Sequence, residues 1–117
     1  MKSRILFAIF SAWMCIIWAL TSLPANEIPD INLFGIDKLA HFGVYFVWSL
    51  IARLNAKDKS RINIGIFIFM LIMAVLDECH QHYIPGRNVS IYDLLANWLG
   101  VIIAWFGCGF YLHRSRR

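Results

Sequence analysis

The sequence predicts an all-α integral membrane protein, a bundle of four transmembrane helices with both termini in the cytoplasm. Three observations predict it. Hydrophobic residues make up 60% of the chain and charged residues 15%, whereas soluble domains sit nearer half and a quarter. The apolar residues fall in four blocks, residues 5–26, 39–52, 62–76 and 94–112, each free of Asp, Glu, Lys and Arg. Nine of the eleven Lys and Arg residues lie in three clusters: Lys2 and Arg4; Arg53, Lys57, Lys59 and Arg61; Arg114, Arg116 and Arg117. The alternate loops hold the acids Glu27, Asp30, Asp37, Asp77, Glu78 and Asp93. Alternation of basic and acidic connections is the positive-inside pattern of four spans. It also argues against nucleic acid as the partner behind the net charge of +4, because the basic residues mark loop ends rather than one face. The 117 residues suffice for one domain, 1–117.

The first helix is expected over residues 3–22, stopped by Pro24. Its apolar run is too long for a signal-peptide core, and Leu23-Pro24-Ala25 is a poor cleavage site, so it is read as a retained span. Phe7, Phe10, Trp13 and Trp18 read as lipid-facing or packing residues, with Trp18 suited to an interfacial belt. Residues 24–36 form an outer loop, its Ile31, Leu33 and Phe34 lying along the interface. The second helix is expected over 37–54 with Asp37 as N-cap. A short basic turn follows, then a third helix from 61 to 81 or 83, broken by Pro85-Gly86. Ser90 or Asn88 caps a fourth helix running to 112, where Gly100, Gly107 and Gly109 offer smooth patches to another helix. Cys15, Cys79 and Cys108 lie at three different depths, which predicts no disulfide.

The middle two blocks reach spanning length of ~20 residues only if polar residues are admitted at one end. Those residues form stripes. Asp37, Lys38, His41 and Tyr45 share a face of the second helix, Asp77, Glu78 and Gln81 a face of the third, and Ser90, Asp93 and Asn97 a face of the fourth. At a rise of ~1.5 Å per residue, Asp37, Asp77 and Asn97 all stand about 24–25 Å above the basic end of their helices, and His41 about 18 Å. Three stripes therefore meet at one depth, just inside the outer boundary. Ionisable groups cost up to ~2.5–3.5 kcal/mol in a membrane and are expected to face inward and pair. Arg87, in the turn above, can fold down over them, its planar fork suited to a carboxylate or phosphate. Four acids (Asp37, Asp77, Glu78, Asp93) face two bases (Lys38, Arg87). A proton, a bound cation or a cationic ligand group must offset the excess. His80 and His82 are expected to face headgroups or water.

Asp37-Lys38 with His41 and Tyr45, then Asp77-Glu78 with Gln81, then Pro85-Gly86-Arg87 with Ser90, Asp93, Asn97 and Gly100, together resemble the VanZ-like membrane protein family. The resemblance covers residues 37–100. It implies a compact helical protein of the bacterial inner membrane. The founding member is linked with resistance to teicoplanin-type glycopeptide antibiotics, and the resemblance implies no settled reaction. It carries over a pocket formed by Asp37, Lys38, His41, Tyr45, Asp77, Glu78, Gln81, Arg87, Asp93 and Asn97.

Three functions are consistent with these residues. The first is an envelope protein binding a phospholipid headgroup or lipid-linked cell-wall intermediate through Lys38 and Arg87. The second is an enzyme acting on a lipid phosphate, with a divalent cation at His41, Asp77, Glu78 and Asp93 or with an acid/base pair. The third is an accessory subunit or homodimer docking through the glycines of the fourth helix.

Overall fold

The computed structural model describes residues 2–28, 35–56 and 61–117. The expectations placed on Asp30, Ile31, Leu33, Phe34, Lys57 and Lys59 lie outside the described residues. Within them the chain forms four α-helices and no strand: α1 (Lys2–Thr21), α2 (Ile36–Asn55), α3 (Arg61–Gln81) and α4 (Ile91–Ser115). A single 3-10 turn, Ala25–Glu27, follows α1.

Each helix starts and stops for a local reason. Thr21 and Ser22 turn their hydroxyls back onto the carbonyls of Ile17 and Trp18, and Pro24 ends α1 three residues later. The N-cap of α2 is Gly35, at φ +90° with no side-chain cap, so Asp37 is not the cap but lies in the first turn. There its charge still suits the helix dipole. Ser90 caps α4, accepting from the backbone N–H of Asp93. This helix runs three residues beyond the expected 112, with His113 and Arg114 in its last turn where cations favour the C-terminal carbonyls.

Packing follows an up-down-up-down course. Trp13 Nε1 donates to Val44 O and Trp48 Nε1 to Phe10 O, which sets α1 antiparallel to α2. Trp98 Nε1 donates to Leu71 O and the Ser90 N–H to Glu78 Oε1, which together set α4 antiparallel to α3. Trp13 is therefore an inward-bonded residue rather than a lipid-facing one. Without water, an indole N–H needs such a partner, and a helix carbonyl has a second lone pair to offer. The closest pair is α2 with α4, which run parallel side by side. Ser49 Oγ donates to Val101 O between them. Gly100 permits this approach: a Cβ there would overlap the Phe42 carbonyl oxygen and come within 2.9 Å of the Phe46 nitrogen. The face around Gly100 is thus filled by α2 of the same chain, and Gly109 lies against Arg53, while a Cβ at Gly107 would meet nothing. The glycines do not form one open docking stripe.

The core is aromatic. Trp48 stacks on Phe10 at 5.1 Å and meets Tyr45 and Phe69 edge-on, with Ile17, Met70, Ala74 and Val101 closing around it. The outer faces are apolar as well: Phe7, Leu20, Ile62, Ile68, Ile72, Leu99, Phe106 and Phe110 are all exposed. A surface of that kind suits lipid rather than water. By length and composition α1, α3 and α4 are each apolar enough to cross a membrane. α2 is of similar length, carries Asp37, Lys38 and Arg53, and packs against all three others. The most polar helix is therefore the most enclosed one, as lipid requires. Arg4, Arg53, Arg61 and Arg114 mark one end of the bundle, which the charge rule assigns to the cytoplasm. The polar stripes meet at the other.

Candidate functional site

The connection after α1 and the turn before α4 lock together above the stripes. Ala25 N–H donates to Pro85 O at 3.2 Å. Gly86, at φ +76°, sits so close to Ala25 that a Cβ would fall 2.8 Å from the alanine methyl. Only glycine meets both conditions. The lock fixes the turn that brings Arg87 into the lining of a cleft of about 530 Å³. The cleft is lined by Ala25, Asn26 and Ile28, by Asp37 and His41 of α2, by Gln81 of α3, by Gly86, Arg87 and Asn88, and by Asp93 of α4.

All ten residues singled out from the sequence lie at this end of the bundle, in two tiers. Asp37, His41, Gln81, Arg87 and Asp93 line the cleft. Lys38 bridges at the rim, paired with Asp37 and with Asp93 Oδ1 at 2.8 Å, the latter an ion pair rather than an aligned hydrogen bond. His41 joins the network through Nδ1, 3.1 Å from Asn97 Oδ1, with its Nε2 3.7 Å from Asp93 Oδ2. Below lies a buried tier of Tyr45, Asp77, Glu78 and Asn97. Asp77 is fully buried and accepts from Thr21 Oγ1 at 2.6 Å and from Tyr45 OH at 3.0 Å. Glu78 accepts from the backbone N–H of Ser90 at 2.7 Å, tying the end of α3 to the start of α4.

The four candidate metal ligands are not gathered to one point. Asp77 faces α1 and α2 through Thr21 and Tyr45, Glu78 faces Ser90, and Asp93 faces Lys38 and His41. Among the described residues no three His, Cys, Asp or Glu side chains are placed to share a metal ion. Each acid is directed to a different neighbour, so the set His41, Asp77, Glu78 and Asp93 is a network rather than a cage.

Several polar atoms end in this region without a protein partner. They are Gln81 Nε2, Asn97 Nδ2 and Glu78 Oε2, on residues no more than 2% exposed. Gln81 and Arg87 both line the cleft. Among the described residues the Arg87 guanidinium makes no ion pair. The cleft thus carries a cation beside the acidic network of Asp37 and Asp93.

Sequence reading missed the contribution of α1. Thr21 holds Asp77, and Ser22 Oγ lies 3.0 Å from His80 Nε2, whose ring stacks on Trp18 at 4.8 Å. His80 is therefore half-buried against α1 rather than facing headgroups, and Trp18 is its stacking partner. The only available signal was a Thr-Ser pair at the end of an apolar run. Cys79, next to His80 in the chain, is exposed.

The sequence model of the VanZ/LLP1 family matches residues 4–112, which takes in all of α2 and α3, most of α1 and α4, and every residue of the cleft. No curated protein and no solved structure matches the chain.

Proposed function

The chain belongs to the VanZ/LLP1 family of membrane proteins, and from that premise we propose that its cleft binds the phosphate-bearing headgroup of an envelope lipid, a phospholipid or a lipid-linked cell-wall intermediate. One observation carries this reading. Arg87, which makes no ion pair among the described residues, lines one 530 Å³ cleft together with Gln81 at the end of the bundle away from the basic clusters. A guanidinium matches phosphate in a planar two-point contact, which a lysine does not. Lys38 is held by Asp37 and Asp93 and so supports the rim rather than competing for the phosphate.

By occupying a headgroup at the outer face, the protein alters what the envelope presents to glycopeptide antibiotics of the teicoplanin type. This links the cleft to the role associated with the founding member of the family. The test is Arg87→Lys and Arg87→Gln at matched expression. Both variants are expected to lose retention of a water-soluble, short-chain phosphatidic acid by purified protein, and to shift glycopeptide susceptibility of the host. Unchanged retention and unchanged susceptibility in both variants refute the reading.

A further inference from the structure

We propose that the groove between α1 and α2 holds an acyl chain of the same lipid whose phosphate sits at Arg87, so that the ligand enters sideways from the bilayer. The proposal rests on the headgroup reading above and adds the rest of the ligand. A second cavity of about 320 Å³ runs beside the cleft, walled on the apolar side by Leu20, Leu23, Ala40 and Val44. Leu20 and Ala40 are exposed, so the groove opens laterally, on the flank a membrane would cover. Ile28, Asp37, His41 and Arg87 line both cavities. A polar basin and an apolar groove thus share one wall, and that wall carries the cation.

Any apolar flank in a membrane touches lipid chains. A site differs from such a flank by charge complementarity at a fixed point, and Arg87 supplies it where the groove meets the cleft. An anionic amphiphile places its phosphate and its chain on the two sides of that junction. A free phosphate fills only the basin, and a neutral lipid only the groove. Joining both in one molecule makes the second contact intramolecular, which raises affinity without further contacts.

The experiment uses the full chain in phosphatidylcholine nanodiscs. The probes are phosphatidic acid and diacylglycerol, each with a diazirine in one acyl chain. Labelled peptides are mapped after illumination, and retention of glycerol 3-phosphate, which carries the phosphate and no chain, is measured in parallel. Phosphatidic acid is expected to label the Leu20–Leu23 and Ala40–Val44 peptides at least ~10-fold above diacylglycerol. Arg87→Gln is expected to abolish that excess and the glycerol 3-phosphate retention together. Ala40→Trp, a substitution at an exposed position that fills the groove, should abolish the excess and leave glycerol 3-phosphate retention intact. If Arg87→Gln removes glycerol 3-phosphate retention but both probes label the groove equally, the headgroup reading survives and the chain site is overturned. Equal labelling with glycerol 3-phosphate retention unaffected by Arg87→Gln overturns both.

Discussion

Substituting Gly100 by alanine tests the packing on which the site depends. The added Cβ would overlap the Phe42 carbonyl oxygen and lie 2.9 Å from the Phe46 nitrogen, against 3.4 Å or more in ordinary contact. Both obstacles are backbone, so no side-chain rotation relieves them, and α2 must move away by at least about half an ångström. Overpacking of this kind costs ~1–3 kcal/mol, and a backbone clash belongs at the upper end. Alanine regains about 1 kcal/mol of helix propensity over glycine, which leaves a net loss near 2 kcal/mol. Gly107→Ala in the same helix meets nothing within 4 Å and gains the propensity alone. Subtracting one variant from the other cancels propensity and isolates the steric cost at about 3 kcal/mol. Reversible unfolding in mixed detergent micelles reads both midpoints. Equal shifts in the two variants would refute the close α2–α4 approach. The same movement would separate Lys38 from Asp93 and His41 from Asn97, so Gly100→Ala is also expected to weaken headgroup retention.

Tyr45→Phe removes one of two donors to the fully buried Asp77 and is expected to lower stability by ~1–3 kcal/mol, with Thr21→Val similar. A change below ~0.5 kcal/mol in both would show that these hydroxyls do not hold the acid. Ser90→Ala is expected to lose ~1 kcal/mol of α4 stability in the same unfolding assay, but Ser90→Gly only a few tenths, because the Glu78 bond is made to the backbone and survives both. His80→Phe keeps an aromatic ring on Trp18 and loses only the Ser22 hydrogen bond, so it should cost less than His80→Ala, and the reverse order would sink the stacking role.

Much of this arrangement was legible because lipid restricts where polar residues go. The helix limits follow from the uncharged blocks, and the common depth of Asp37, Asp77 and Asn97 follows from rise per residue alone. Periodicity gives the face a residue occupies but not the helix opposite. Short connections favour sequential neighbours, yet the closest pair is α2 with α4, joined at Gly100, and that choice depends on a contact no local pattern encodes. Thr21 was invisible for the same reason. A threonine bonded to the carbonyl four residues back is ordinary in a membrane helix, and only the fold shows its hydroxyl also reaching Asp77. The cap of α2 was misread because Asp37 has the right chemistry two residues too late, after Gly35, whose positive φ already turns the chain. Spacing brought the candidate ligands Asp77, Glu78 and Asp93 to one end of the bundle, with His41 deeper, but could not give the neighbours to which each side chain turns.

A purely structural ion network would explain only part of the cluster. It accounts for Lys38 between two acids and for Asp77 between two hydroxyls, since Lys38 lies against both carboxylates and each Asp77 oxygen accepts from a hydroxyl. It does not account for Gln81, Asn97 and Glu78, each buried with one polar atom lacking a protein partner. An unmatched buried polar group costs ~1–3 kcal/mol, and well-packed apolar residues of similar size would hold helices together as well or better. Stability alone therefore selects against this composition. Of the three, Gln81 lines the cleft beside an arginine that makes no ion pair among the described residues, and that lining is explained by an anionic group the cleft receives. The half-satisfied Glu78, anchored to Ser90 at the head of α4, ties the wall of that cleft to the helix carrying Asp93 and Asn97. Gln81 on α3 and Asp93 on α4, two lining residues of the cleft, are thus held in register through one carboxylate, which makes the bundle's own packing a condition of the proposed binding.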